Sequence, residues 1–140
     1  MPLWNVYHPV GAYTDEEKRE FADRVTSHYG GRGLPRFYVV VLFHEVDRGS
    51  FYVGGEAVGD VVRVAIDHIA RHIADPAARE ESRRLINGLI QPFAAGKGLR
   101  WEFHIDETPR DLWMINGLVP PPTGSDAEKR WARENRAVPS

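Results

Sequence analysis

Pro2 follows the initiator methionine and heads an apolar stretch, Pro2-Leu3-Trp4-Asn5-Val6-Tyr7. Cells trim Met1 when the second residue is small, and the trimmed chain would begin with a secondary amine. Chain-end amines titrate at about 8, so with histidine such a group is poised near neutrality. A strand that starts at the amine holds it in place, whereas most termini fray. Pro2 is therefore a candidate acid/base residue. With Met1 attached, Pro2 is an amide and has no basicity.

A second group of reactive types lies in Ile66-Asp67-His68-Ile69-Ala70-Arg71-His72. His68 and Arg71 near a strand end suit a carboxylate or enolate oxygen, because arginine presents a planar, permanently charged fork. The competing reading is an Asp67–Arg71 surface ion pair, worth about 0 to 1 kcal/mol. His68 and His72 are four apart, but no acidic third ligand stands at a recognised spacing and no HExxH pattern occurs. No metal site is read. His104 lies between Phe103 and Ile105 and reads equally as a catalytic or a structural histidine. Glu102 and Asp106 share its face by period two, so either could set its tautomer. Trp101, Trp113 and Met114 suit an aromatic-accepting pocket or plain core. Gly54-Gly55 and Gly96-Lys97-Gly98 read as turns rather than a phosphate loop.

At 140 residues the chain is expected to form one domain, 1–140. A formal net charge of -2 gives no electrostatic case for nucleic acid or an anionic membrane. No apolar run approaches the roughly 20 residues that span a bilayer. The absence of cysteine excludes thiol catalysis and disulfides. No basic-then-apolar leader is read before Pro2, which makes the cytoplasm the expected compartment.

The elements that must position these residues come in two sets. Thr14-Asp15-Glu16-Glu17 is a capping box, followed by Phe21, Ala22, Val25 and Tyr29 at helical spacing, with Gly30-Gly31 as the stop. Phe37 to Phe43 is apolar on both alternating faces and reads as a strand buried on both sides. Ser50 to Gly55 reads as a short extended piece ending in a Gly-Gly turn. Val61 to Ile69 is a β-branched strand, and Asp75-Pro76 starts a second helix. Pro92 is expected to loosen its last turn. Leu99 to Ile105 alternates as a strand. The order is β-α-β twice, over 2–55 and 61–107, with an extension at 108–140. Phe43-His44-Glu45 and Phe103-His104-Ile105 echo one another. The expected fold is α+β: two parallel β-α-β pairs joined into a four-stranded mixed sheet, two helices on one face. The uncovered face then needs a partner, and self-association is the simplest. In the extension, Ser125-Asp126-Ala127-Glu128 is a second capping box, and Trp131 is expected to dock a short helix.

An amino-terminal proline on a strand, followed by two β-α-β units, resembles the tautomerase superfamily. The resemblance is to its long-chain branch, which includes cis-3-chloroacrylic acid dehalogenase. It runs from Pro2-Leu3-Trp4 to Asn116-Gly117-Leu118-Val119-Pro120-Pro121-Pro122. Phe37 to Phe43 and His104 to Pro109 are similar to actinobacterial and fungal members of that branch. The resemblance implies a homotrimer with Pro2 as catalytic residue in a pocket shared between subunits, and no cofactor or metal. It also implies that Arg71 fills one of two carboxylate-binding arginine places, the other falling near His68 or Ile69. A first-helix histidine corresponds to His28, with Tyr29 in the better-aligned register. A last-strand tyrosine falls at Phe103 or His104. A water-activating glutamate falls near Ile115 or Asn116, where this chain has no acid.

The expected function is cofactor-independent proton transfer on a small keto, enol or unsaturated carboxylic acid, aromatic ones included. Neutral Pro2 is the base; His68 and Arg71 bind the substrate, with His104, Tyr29, His28 and Asn116 as further polar partners. Three alternatives stand beside it. A protonated Pro2 would serve alkene hydration or dehalogenation. An electron-rich enolpyruvate would react with dioxygen in a cofactor-free oxygenase. A non-catalytic oligomeric binding protein would keep only the scaffold.

Overall fold

A computed structural model describes all 140 residues. Strand β1 (Pro2–Pro9) runs parallel to β2 (Val40–Val46), with Leu3 opposite Val40. After a small antiparallel hairpin of β3 (Tyr52–Val53) and β4 (Glu56–Ala57), β5 (Val61–Ile69) pairs antiparallel with β1. It also pairs in parallel with β6 (Arg100–Thr108), giving the order β2-β1-β5-β6. Helices α1 (Asp15–Gly30) and α2 (Pro76–Ala94) cross between the parallel partners. The two β-α-β units therefore meet through an antiparallel β1–β5 seam.

Local chemistry fixes the helix starts. The Thr14 hydroxyl accepts the Glu17 N–H at 3.1 Å while the Glu17 carboxylate accepts the Thr14 N–H at 3.1 Å. Asp75 accepts from the N–H groups of Ala77 and Ala78, and Pro76 opens α2 where its missing N–H costs nothing. Pro92 lies inside α2, which runs on to Ala94 before tightening into a 3₁₀ turn at Ala95–Lys97.

One sheet face carries the core. Trp4 and Val6 of β1 and Val62, Val64 and Ile66 of β5 are buried against Phe21 and Val25 of α1 and Ile86 and Ile90 of α2. The Phe21 and Phe93 rings stack at 4.4 Å across the two helices. The other sheet face is polar and uncovered. There Tyr7 stacks on His44 at 4.6 Å, and Arg63 donates to His104 Nδ1 at 2.7 Å.

The reading of Phe37 to Phe43 as a strand buried on both sides is corrected. Phe37 and Tyr38 fall in a 3₁₀ turn, and β2 is an edge strand with Leu42 44% exposed. A continuous apolar run marks a strand lined by apolar neighbours, but not whether those neighbours belong to the same chain.

The extension folds back over its own chain's start. Helix α3 (Asp126–Glu134) is capped by Ser125, whose hydroxyl accepts the Glu128 N–H at 3.2 Å. Glu128 does not return to the Ser125 N–H as the capping-box pattern predicts; its carboxylate accepts from Gly124 at 3.0 Å. Trp131 is buried against Phe37 and Tyr38 and donates to the Val138 carbonyl at 2.9 Å. Tyr38, Trp113, Trp131 and Val138 make a second core, on which Met1 packs. No helix is long and apolar enough to cross a membrane.

Candidate functional site

The chain start is clamped to the end of β5. The Met1 amine donates to the Ile69 carbonyl at 2.6 Å, and the Met1 carbonyl accepts the Ile69 N–H at 2.8 Å. Pro2 is fully buried and stands opposite His68 in the antiparallel register. Directly after β5, Ala70 takes φ 64°, a left-handed conformation costly for a residue with a Cβ. Its N–H donates to the Thr108 carbonyl at 2.8 Å, which holds the bend that leads into Arg71.

His68 is 4% exposed. Its Nε2 lies 2.8 Å from the Tyr29 hydroxyl, which accepts from Trp4 Nε1 at 3.1 Å. Tyr29 spends its proton on Nε2, so the His68 proton sits on Nδ1, and Nδ1 has no partner. Burial first, then Arg71 and the chain-end amine, push His68 down to about 4, so it is neutral at pH 7. Burial pushes the Tyr29 hydroxyl up to about 12, which keeps it a donor. The imidazole is therefore neutral, and its unpartnered Nδ1 lies buried at the end of the strand.

Two cavities meet at His68. The smaller, of about 220 Å³, is lined by His28, Tyr29, Arg32, His68, Arg71 and Leu85. The larger, of about 980 Å³, runs between α2 and β6 past Arg79, Asn87, Trp101 and Glu107. None of the chain's ion pairs uses Arg71 or Arg110. The competing Asp67–Arg71 ion pair does not form; Arg71 follows the left-handed turn at Ala70.

The chain-end amine is pushed down from 8 to about 5, by burial first and then by Arg71 and Arg110, with Glu128 opposing. This is the Met1 amine; in a chain without Met1 the amine would be that of Pro2, one residue further into the strand. An amine so placed is a free base at neutral pH.

The remaining sequence-predicted residues separate. His28, in the last turn of α1, lines the smaller cavity, with Arg32 donating to its Nδ1 at 3.2 Å. His104 points to the open sheet face, because Phe103 and Ile105 take the helix-facing positions, and it borders the larger cavity that His68 also lines. Arg63 donates to its Nδ1, which leaves the proton on Nε2, and Asp106 lies 3.3 Å from that nitrogen. Asn116 is exposed, with φ 51°; with Gly117 at φ 75° it makes a tight primed turn bridged by Ile115 and Leu118. Its place serves the turn. His68 is on a strand and His72 beyond it, so their four-residue spacing does not form one helical face.

Sequence reasoning passed over Arg110, Tyr38 and Glu128. Arg110 donates to the Pro120 carbonyl at 2.7 Å and to that of Pro121, and stands 5.7 Å from the Trp113 ring. Proline carbonyls have no N–H beside them to pair elsewhere, and Pro120-Pro121-Pro122 was the available signal. Tyr38 was absorbed in an apolar run and Glu128 in a capping pattern.

The family described as "Putative oxalocrotonate tautomerase enzyme" matches residues 1–136. No curated protein matches the chain. Among solved structures, native RhCC from Rhodococcus jostii RHA1 is 44% identical, with 99% of each chain covered and a TM-score of 0.96. A "probable enzyme" from the thermophilic fungus Aspergillus fumigatus is 42% identical over 100% of this chain and 98% of that one, with a TM-score of 0.94. A member of the cis-3-chloroacrylic acid dehalogenase family shares the fold at 20% identity and a TM-score of 0.72, over 95% of this chain and 97% of its own.

Proposed function

Since this chain belongs to the tautomerase superfamily, we propose that it is a cofactor-independent enzyme that moves protons with the Pro2 amine, freed by loss of Met1. The substrate class is a small carboxylic acid with a keto–enol or unsaturated centre. Neutral Pro2 removes a proton from carbon and returns it elsewhere on the same substrate. Arg71 takes the carboxylate, Arg110 adds positive potential near the amine, and the free N–H of His68 meets the enolate oxygen. Tyr29 holds that imidazole in the donating tautomer, and His28 borders the same cavity.

The depressed chain-end amine at the head of β1 carries this reading. A base is most effective when its conjugate acid titrates near the working pH. A protonated proline fits this neighbourhood poorly, which weighs against alkene hydration or dehalogenation. The observation that favours oxygenation of an enolpyruvate is the aromatic wall of Tyr38 and Trp113, 5.1 Å apart, beside the chain start. Oxygen uptake with an aryl enolpyruvate distinguishes that chemistry from simple ketonisation. A homotrimer belongs to the same proposal, supported by the exposed apolar edge of β2 and the uncovered sheet face.

The test is phenylpyruvate tautomerisation by the trimmed protein and its Pro2→Ala variant. Loss of the base is expected to lower kcat/KM by about 10²- to 10⁴-fold. Full activity in the variant, or no turnover in either protein, returns the scaffold to a binding role.

A further inference from the structure

Glu128 is the one buried carboxylate of the chain, 7% exposed. Burying a charged group is costly unless partners compensate. Its one hydrogen-bond partner within the chain is the backbone N–H of Gly124, and no lysine or arginine pairs with it. The helix that carries it is pinned by the Ser125 cap and by Trp131 wedged against Phe37 and Tyr38. Tyr38, in the cluster on which Met1 packs, is 2% exposed and its hydroxyl has no partner. A rigid helix thus carries an under-partnered acid one turn before Trp131, which packs on Tyr38 in the cluster where the chain begins.

We propose that Glu128 is a positioning residue for the amino-terminal amine: its carboxylate offsets Arg71 and Arg110 and keeps Pro2 basic enough to accept a proton from carbon. This rests on Pro2 being the base. The charged and titratable groups around the chain start, where Met1 carries the amine in this structure, come from every surrounding element. Arg71 follows β5, Arg110 follows β6, His68 lies on β5, Tyr38 precedes β2, and Glu128 comes from α3. Of these, Glu128 supplies the negative charge that acts on the amine and on Tyr38 alike. Two guanidiniums and burial alone would leave the amine a weaker base than it is with Glu128 in place. The extension therefore contributes a functional residue as well as a cover.

The experiment is titration of the Pro2 nitrogen by NMR in trimmed, ¹⁵N-proline-labelled protein, alongside the pH dependence of kcat/KM for phenylpyruvate. Glu128→Gln is expected to move the amine titration down by about one pH unit, a change of about 1.4 kcal/mol. The acid limb of the rate profile should move with it. Glu128→Asp keeps the charge and should move both by less, in the same direction. An amine that titrates unchanged in folded Glu128→Gln, or in folded Glu128→Ala should the glutamine variant fail to fold, overturns the proposal. Full activity in Pro2→Ala would sink the catalytic reading instead, and the nitrogen titration would still decide what Glu128 does to the amine.

Discussion

The Tyr29 hydroxyl lies 2.8 Å from His68 Nε2, tying the last turn of α1 to the strand residue opposite Pro2. With Trp4 donating to the same oxygen, three buried side chains from α1, β1 and β5 form one ordered chain. Its free end is His68 Nδ1, the donor that the proposed chemistry needs.

Replacing Tyr29 with phenylalanine leaves both Trp4 Nε1 and His68 Nε2 unpaired in a buried place. Each lost partner costs about 1–3 kcal/mol. Urea denaturation should show destabilisation of that order. Activity should fall further than stability explains, because the imidazole loses the bond that fixes its tautomer.

His68 predicts an acid-sensitive fold. Its folded titration, about 4, is depressed below the unfolded value of 6.5. The neutral form is favoured in the native state, so the unfolded chain binds the proton more readily. The stabilisation is complete above about 6.5 and is lost as pH falls towards 4. The loss is on the order of 3 kcal/mol. Fully buried His8, also held below its usual value chiefly by burial, adds in the same sense. Melting temperatures between pH 7 and 4 check the trend, and His68→Asn should flatten part of it.

Arg71→Met should raise KM for a carboxylate substrate, since the guanidinium's charge-assisted bonds are lost. At about 1.5–3 kcal/mol, kcat/KM falls roughly 10- to 100-fold. The same substitution removes a cation that weakens the amine, so the acid limb of the rate profile should rise in pH.

The fold was legible because its signals are local. Thr14 and Asp75 cap helices through side chains a few residues from their targets, and Trp131 has to bury its ring somewhere. The repeated Phe-His echo places Phe43 and Phe103 against the same core from opposite sheet edges. The site was less legible because it is assembled from distant segments. Arg110 and Glu128 are brought toward the chain start by turns at Pro109 and Gly124 that no periodicity reveals. His104 read as a further polar partner of the substrate, but strand alternation turns its side chain to the open sheet face. Asn116 drew notice as an alignment position, and its positive φ shows that the backbone uses it.

Trp131→Ala tests whether the extension is part of the folded unit. A buried tryptophan reduced to alanine costs about 3–5 kcal/mol. Calorimetry should show a large fall in melting temperature, and limited proteolysis should release the segment after Pro122. An unchanged melting temperature would separate α3 from the cooperative core.

The most direct check is the ¹⁵N titration of the Pro2 nitrogen in the purified wild-type protein. The expected result is a secondary amine at the chain end that is largely deprotonated at pH 7, its midpoint well below the ordinary value of about 8. A Pro2 nitrogen that does not titrate, as in a chain that keeps Met1, would contradict it, as would a midpoint at or above 8.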